Sequence, residues 1–195
     1  MKSTGAKKMS DLEILECLFN NEARVQTLIE YDKTFVELTE PQSDDSIVKI
    51  RDMPRDTFII VADRFPSPDK VFTGGRGECK RADFIVISEL RQCILYIELK
   101  KTKKENKHIA QQLTGAKCFV EYCKAIVEWF WENPSFLKNY EERYVYFRHT
   151  EKHVKKRPTR GDKNPTSHNT PYKAQIIDWV SSKGIQYNKL VGKFD

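Results

Sequence analysis

Two short apolar runs, separated by four mainly polar residues, lie near the middle of the chain. The runs occupy residues 84–88 and 93–99 and are rich in Ile, Val, Leu, Phe and Tyr. These residue types favour extended structure, and the spacing is typical of a β-hairpin. The loop is predicted at residues 89–92, with a tighter loop at Leu90 and Arg91 as the alternative.

The hairpin predicts a register that brings charged residues together at one end. Ser88 pairs with Cys93, and the numbers of paired residues sum to 181 along the strands, which places Asp83 opposite Glu98. Lys100 lies two residues beyond Glu98 and therefore emerges from the same face. Because both faces of the hairpin are apolar, we expect it to be central in a sheet and covered on both sides.

The rest of the hydrophobic pattern predicts alternating helices and strands. Apolar spacing of three and four indicates three helices, of which the first has Ser10 as a plausible N-cap and a break near Asn20 as an alternative. The predicted helices span residues 11–30, 106–132 and 172–183. Short β-rich runs predict further strands at residues 35–38, 47–50, 57–62, 144–147 and 185–191.

Composition predicts a single domain without a membrane span. The chain has 195 residues, 39% of them hydrophobic and 32% charged, which is enough for one substantial core. No segment approaches the roughly 18 apolar residues that a spanning helix needs. Residues 1–9 lack the apolar core of a secretory signal, and the five cysteines lack zinc-ligand spacing. We therefore expect a cytoplasmic protein with reduced thiols.

Positive charge is concentrated in the last part of the chain. The formal net charge is +6, and residues 152–195 contain ten Lys or Arg against three Asp, so residues 1–151 carry about −1. Such a segment favours a polyanionic partner, although a solvated basic loop would have the same composition. The segment 152–171 is predicted to be a long basic loop.

The two carboxylates and the ammonium at the hairpin end are the candidate chemistry. Alone, Glu98 and Lys100 could form a structural ion pair. The addition of Asp83 favours a shared divalent cation, since like charges placed side by side are unfavourable unless they are neutralised. Mg²⁺ typically takes one or two carboxylates together with waters and phosphate oxygens. A neighbouring lysine can orient a metal-bound water or stabilise charge on a phosphate.

The spacing of Asp83 and Glu98-Leu99-Lys100 resembles the PD-(D/E)xK nuclease superfamily. Ala82 stands where that family usually has Pro. The resemblance implies a restriction-endonuclease-like α/β fold, in which helices flank a mixed central sheet in the order αβββαβ. Residues 11–150 would form the core and residues 151–195 a basic elaboration of a single domain.

The resemblance also implies roles for individual residues. Asp83, Glu98 and the carbonyl of Leu99 would hold Mg²⁺, with Mn²⁺ as a substitute, and Lys100 would position the attacking water. Gln112 resembles a glutamine that many members place near the site. An acidic residue of the first helix often joins it, and the candidates here are Glu16 and Glu22.

Basic residues next to this motif are candidates for contact with nucleic-acid phosphates. They flank the hairpin on both sides, and such contacts are independent of sequence and weakened by salt. The candidates are Lys80, Arg81, Lys101, Lys103 and Lys104. The glycines at positions 74, 75 and 77 are interpreted as a turn, since they lack phosphate-loop spacing.

These observations predict a Mg²⁺-dependent endonuclease that hydrolyses DNA, with RNA as an alternative substrate. Restriction, phage defence and repair are the contexts that the resemblance implies. One alternative is a non-catalytic nucleic-acid-binding or regulatory subunit on the same fold, and another is a protein-interaction module. A homodimer and a companion ATPase or sensor protein are partners that the resemblance leaves open. Strandedness, endo- or exonucleolytic action and sequence preference are not specified by these motifs.

Overall fold

The computed structural model describes residues 9–39, 47–101, 104–149, 168–179 and 184–192. These residues form a mixed α/β structure with two β-sheets. Its helices are α1 (Asp11–Leu18), α2 (Asn106–Phe130) and α3 (Tyr187–Val191). Its strands are β1 (Leu28–Glu30), β2 (Lys33–Thr39), β3 (Ile47–Arg51), β4 (Thr57–Val61), β5 (Phe84–Ser88), β6 (Cys93–Lys100), β7 (Glu141–His149), β8 (Gln175–Trp179) and β9 (Ile185–Gln186). None of the helices described is both long and apolar enough for a membrane crossing.

The predicted hairpin is confirmed and lies at the centre of the larger sheet. This sheet has the order β4-β5-β6-β7-β8, in which β4, β5 and β6 are antiparallel and β7 and β8 continue in parallel. Within the hairpin Phe84 pairs with Ile97 and Ser88 with Cys93, as the predicted register requires. The connecting loop is residues 89–92.

The order αβββαβ is found among α1, β4, β5, β6, α2 and β7, although these elements are not all consecutive in the chain. Three strands, β1 to β3, are inserted between α1 and β4. The predicted strands at residues 35–38 and 47–50 are confirmed as β2 and β3, and they form a second sheet of order β1-β2-β3-β9.

Apolar layers cover both faces of the central hairpin, as its sequence predicts. One face, which includes Ile85 and Tyr96, packs against α1 and α2. The opposite face, which includes Val86 and Leu95, packs against the second sheet and α3. All four residues are fully buried. Polar side chains at the ends of these strands therefore lie next to an apolar core that excludes water.

The first helix is shorter than predicted. Ser10 caps it with a capping box, but α1 ends at Leu18 and does not continue to residue 30. The chain instead forms the short 3₁₀ turn Asn21–Ala23 and then contacts β4, where the amide of Val25 donates a hydrogen bond of 3.0 Å to the carbonyl of Ile59. Tertiary pairing with a strand edge therefore outweighs the helical pattern after residue 20.

Two C-terminal predictions are wrong. The helix predicted over residues 172–183 is replaced by a short 3₁₀ turn at Pro171–Lys173 and by β8, which pairs with β7. The strand predicted over residues 185–191 is only the two-residue β9 followed by α3. Most of the predicted basic loop, and residues 180–183 of the predicted helix, lie outside the described residues.

A glycine allows α2 to approach the segment that leads into β5. A Cβ atom on Gly115 would lie 1.7 Å from the carbonyl oxygen of Lys80. This is a steric clash that could be removed only by moving the backbone. The absence of a side chain at this position therefore fixes how closely α2 lies against residues 80–82.

We expect Gly115→Ala to destabilise the protein by about 1 to 3 kcal/mol, because overpacking against backbone outweighs the roughly 1 kcal/mol that alanine gains in a helix. Urea denaturation measures the change. Gly75→Ala is the matched control, since a Cβ at Gly75 has no atom within 4 Å. A Gly115→Ala protein as stable as wild type would contradict this close approach.

Candidate active site

The hairpin register places Asp83 and Glu98 at one end of the central sheet. Asp83 immediately precedes β5, and Glu98 follows Ile97, the partner of Phe84. Asp83 and Glu98 belong to the face that packs against α2, since side chains alternate along a strand. Lys100, the last residue of β6, lies on this face as well.

Short polar contacts hold these residues together. The amide of Leu99 donates a hydrogen bond of 2.7 Å to Oδ2 of Asp83. The ammonium of Lys100 forms an ion pair with Oε1 of Glu98. Glu98 is completely buried and Asp83 is 7% exposed, whereas the side chain of Lys100 is 15% exposed. All three residues are therefore largely shielded from water.

Burial makes Glu98 the electrostatically unusual member of the cluster. Its pKa is raised well above the ordinary value, chiefly because burial removes water from the carboxylate and then because Asp83 is also negative. The charge of Lys100 opposes this shift. The hydrogen bonds that reach its oxygens, from Lys100 and from the backbone of Asp83, are poorly oriented. The site thus contains excess acceptor capacity in a dry location.

No protein-family model, curated protein or solved structure matches this chain.

The donor set fits a hard divalent cation. Two adjacent carboxylates are oxygen ligands of the kind that Mg²⁺ prefers, and a cation would give the oxygens of Glu98 a better partner than their poorly oriented hydrogen bonds. Among the described residues no group of three or more His, Cys, Asp or Glu side chains could hold a metal. The protein would thus supply Asp83, Glu98 and a backbone oxygen, the last assigned to Leu99 by resemblance. The remaining positions would belong to water and substrate.

The predicted site residue Gln112 contacts the segment before β5. Its amide nitrogen donates a hydrogen bond of 3.4 Å to the carbonyl of Arg81, and its Oε1 is buried without a partner. Gln112 thus supports the backbone two residues before Asp83. Arg81 itself donates to the carbonyl of Cys79 over 3.4 Å.

The predicted phosphate-binding lysines have different environments. Lys80 contacts two side chains of α2, Gln111 and His108. Lys101 and Lys104 are exposed, and the amide of Lys104 donates to the hydroxyl of Tyr146 over 3.4 Å. Lys103 lies outside the described residues.

The acidic residues proposed from the first helix are on the surface. Glu16 forms an ion pair of 3.9 Å with Arg24, and its side chain is 53% exposed. Glu22 is exposed in the 3₁₀ turn Asn21–Ala23. Because no described group of three acidic, His or Cys side chains could hold a metal, neither residue completes a carboxylate triad with Asp83 and Glu98.

Three residues next to the site were not selected from the sequence. Tyr146 is paired in register with Glu98 on the parallel strand β7, while His108 and Gln111 lie in the first turns of α2. The spacing of His108, Gln111 and Gly115 follows a helical face, so the small residue at position 115 was a signal that this face approaches other backbone.

We expect Glu98→Gln to stabilise the metal-free protein at pH 8. A carboxyl group with a raised folded-state pKa contributes stability below its unfolded-state pKa, about 4.5, and that stability is lost as the pH rises through the folded-state value. Each pKa unit corresponds to about 1.4 kcal/mol. Urea denaturation at pH 5 and pH 8 measures the effect, and the advantage of the variant should grow with pH.

Glu128→Gln is the control for this measurement because Glu128 is exposed on α2. It should change stability little at either pH. A wild-type protein at least as stable as Glu98→Gln at pH 8 would show that the buried carboxylate carries no such cost.

Proposed function

We propose that this protein is a metal-dependent endonuclease that hydrolyses DNA phosphodiester bonds, on a restriction-endonuclease-like core. Restriction, phage defence and repair are contexts consistent with this activity, and a cytoplasmic location is part of the same proposal.

The observation that carries the proposal is the convergence of Asp83, Glu98 and Lys100 at the end of a covered hairpin. Burying two neighbouring carboxylates is costly unless a cation compensates them. A structural ion pair would require only Glu98 and Lys100. The ion pair does not account for the second carboxylate, Asp83, which accepts a hydrogen bond from the amide of Leu99.

The proposed chemistry assigns separate tasks to the residues present. When bound, a divalent cation lowers the pKa of a water ligand and draws charge from a phosphate oxygen. Asp83 and Glu98 would hold it. Lys100 can donate a hydrogen bond to the attacking water or to a phosphate oxygen, which stabilises the negative charge that develops during hydrolysis. The low exposure of Glu98 keeps bulk water away from these charges.

The surroundings of the site support a polyanionic substrate. Lys80 lies three residues before Asp83, and the exposed Lys101 and Lys104 follow Glu98 by three and six residues. Phosphate contacts of this kind give affinity without sequence preference and would bring the DNA backbone toward Lys100.

A non-catalytic nucleic-acid-binding protein on the same fold is the second candidate. One observation favours it: Lys100 forms an ion pair with Glu98 within the same strand. In that case the ion pair would be structural, and divalent cations would leave DNA binding unchanged.

We expect Asp83→Ala and Glu98→Ala to reduce cleavage of supercoiled plasmid in Mg²⁺ or Mn²⁺ by at least about 100-fold, since each removes a central electrostatic contribution. Gel-based nicking assays measure the loss, and calorimetric titration of Mg²⁺ measures binding of the metal alone. Asp69→Ala, at an exposed position in the 3₁₀ turn Pro68–Lys70, is the matched control.

Cleavage by Asp83→Ala and Glu98→Ala at the rate of Asp69→Ala would overturn the catalytic assignment. DNA binding that is indifferent to Mg²⁺, with no cleavage by wild type, would favour the non-catalytic candidate.

A further inference from the structure

Three polar side chains from two elements meet beside the candidate active site. The ammonium of Lys80, three residues before Asp83, lies 2.6 Å from Oε1 of Gln111 and 3.1 Å from Nδ1 of His108. The other end of the Gln111 amide donates a hydrogen bond of 2.8 Å to the carbonyl of Arg76. The ammonium is thus held in place by two neutral side chains.

The contact between Gln111 and the loop that contains residue 77 requires a glycine. Gly77 has a φ of +98°, and a Cβ there would lie 2.8 Å from the side chain of Gln111. The loop therefore presses against Gln111, whose amide links it to Lys80. This packing restricts where the Lys80 ammonium can lie.

The contact with Lys80 determines which nitrogen of His108 carries the proton. An ammonium only donates hydrogen bonds, so Nδ1 of His108 must accept. In a neutral imidazole the proton then belongs to Nε2. Neutral His108 can therefore donate a hydrogen bond from Nε2.

Positive charge around His108 is only weakly compensated. Its pKa is lowered, first by burial and then by the charges of Lys80, Lys100 and Lys104, whereas Glu105 has the smallest effect and acts in the opposite direction. Within the described residues neither Lys80 nor Lys104 forms an ion pair. A group of N–H donors with excess positive charge is complementary to an oxyanion.

We propose that Lys80 and His108 form a subsite for a backbone phosphate of the nucleic acid, adjacent to the phosphate that is cleaved. Lys80 supplies charge, and Nε2–H of His108 supplies a directed hydrogen bond to a non-bridging oxygen. The inference rests on the proposed nuclease function for the identity of its ligand. Its location follows from the position of Lys80, which lies three residues before Asp83 and contacts His108 directly.

Binding without cleavage tests the subsite. Fluorescence anisotropy of labelled single- and double-stranded DNA and RNA oligonucleotides is measured in EDTA over a range of salt concentrations. We expect Lys80→Met and His108→Ala each to weaken binding roughly tenfold. Lys80→Met should also reduce the salt slope by about 1, because one cationic contact is lost, whereas His108→Ala should leave the slope unchanged.

Two controls separate the subsite from general effects. Lys138→Met removes an exposed lysine near the start of β7, at the opposite end of the central sheet, and should bind nearly as wild type. His108→Gln places an amide N–H near the position of Nε2 and should restore part of the affinity. Unfolding midpoints of all variants establish that each protein is folded.

Histidine NMR signals give a second readout. The His108 ring signals, assigned by their loss in His108→Ala, should shift when an oligonucleotide is added and less when inorganic phosphate is added. Affinities of Lys80→Met and His108→Ala equal to that of Lys138→Met would overturn the subsite, as would unshifted His108 signals at saturating oligonucleotide. Shifts with inorganic phosphate but no oligonucleotide binding would likewise overturn a nucleic-acid subsite.

The outcome for the subsite is distinguishable from that for the nuclease. Wild-type cleavage with unaffected binding in both variants removes the subsite and keeps the enzyme. Binding that depends on Lys80 and His108, without cleavage by wild type, keeps the subsite and counts against the enzyme.

Discussion

The register between β5 and β6 is the constraint on which the candidate site depends. Pairing of Phe84 with Ile97 leaves Asp83 beside Glu98, and a shift of one residue would turn one carboxylate to the opposite face. The register is well specified because both faces of the hairpin are buried. The same apolar packing that stabilises the sheet therefore forces two acidic side chains into one small, dry region.

Charge balance in that region is incomplete. Lys100 offsets one negative charge, yet the pKa of Glu98 remains raised because burial and Asp83 together outweigh the ammonium. Stability would favour an apolar residue at position 98, since burying an ion pair often gains less than it costs. Natural proteins retain such costs at functional sites, which is the physical reason for treating these residues as chemistry rather than as packing.

The second determinant is the approach of α2 to the segment before β5. Gly115 allows backbone contact with Lys80, and this proximity lets Gln111 and His108 reach its ammonium. The glutamine that the resemblance implies, Gln112, supports the carbonyl of Arg81. Both glutamines therefore donate to backbone carbonyls, and Gln111 in addition accepts from the Lys80 ammonium. This difference depends on how α2 is placed against residues 80–82.

The sequence by itself determined the hairpin, its register and the long helix α2, because uniformly apolar strands and a sustained helical stripe are strong local signals. It thereby predicted the meeting of Asp83, Glu98 and Lys100. Only the tertiary structure decided the contacts of Lys80 and the secondary structure of segments whose local sequence signal is weak. Residues 175–179 became β8 because an open strand edge on β7 was available for pairing. Such competition between local propensity and a distant partner cannot be read from neighbouring residues, since the partner lies about thirty positions away in register.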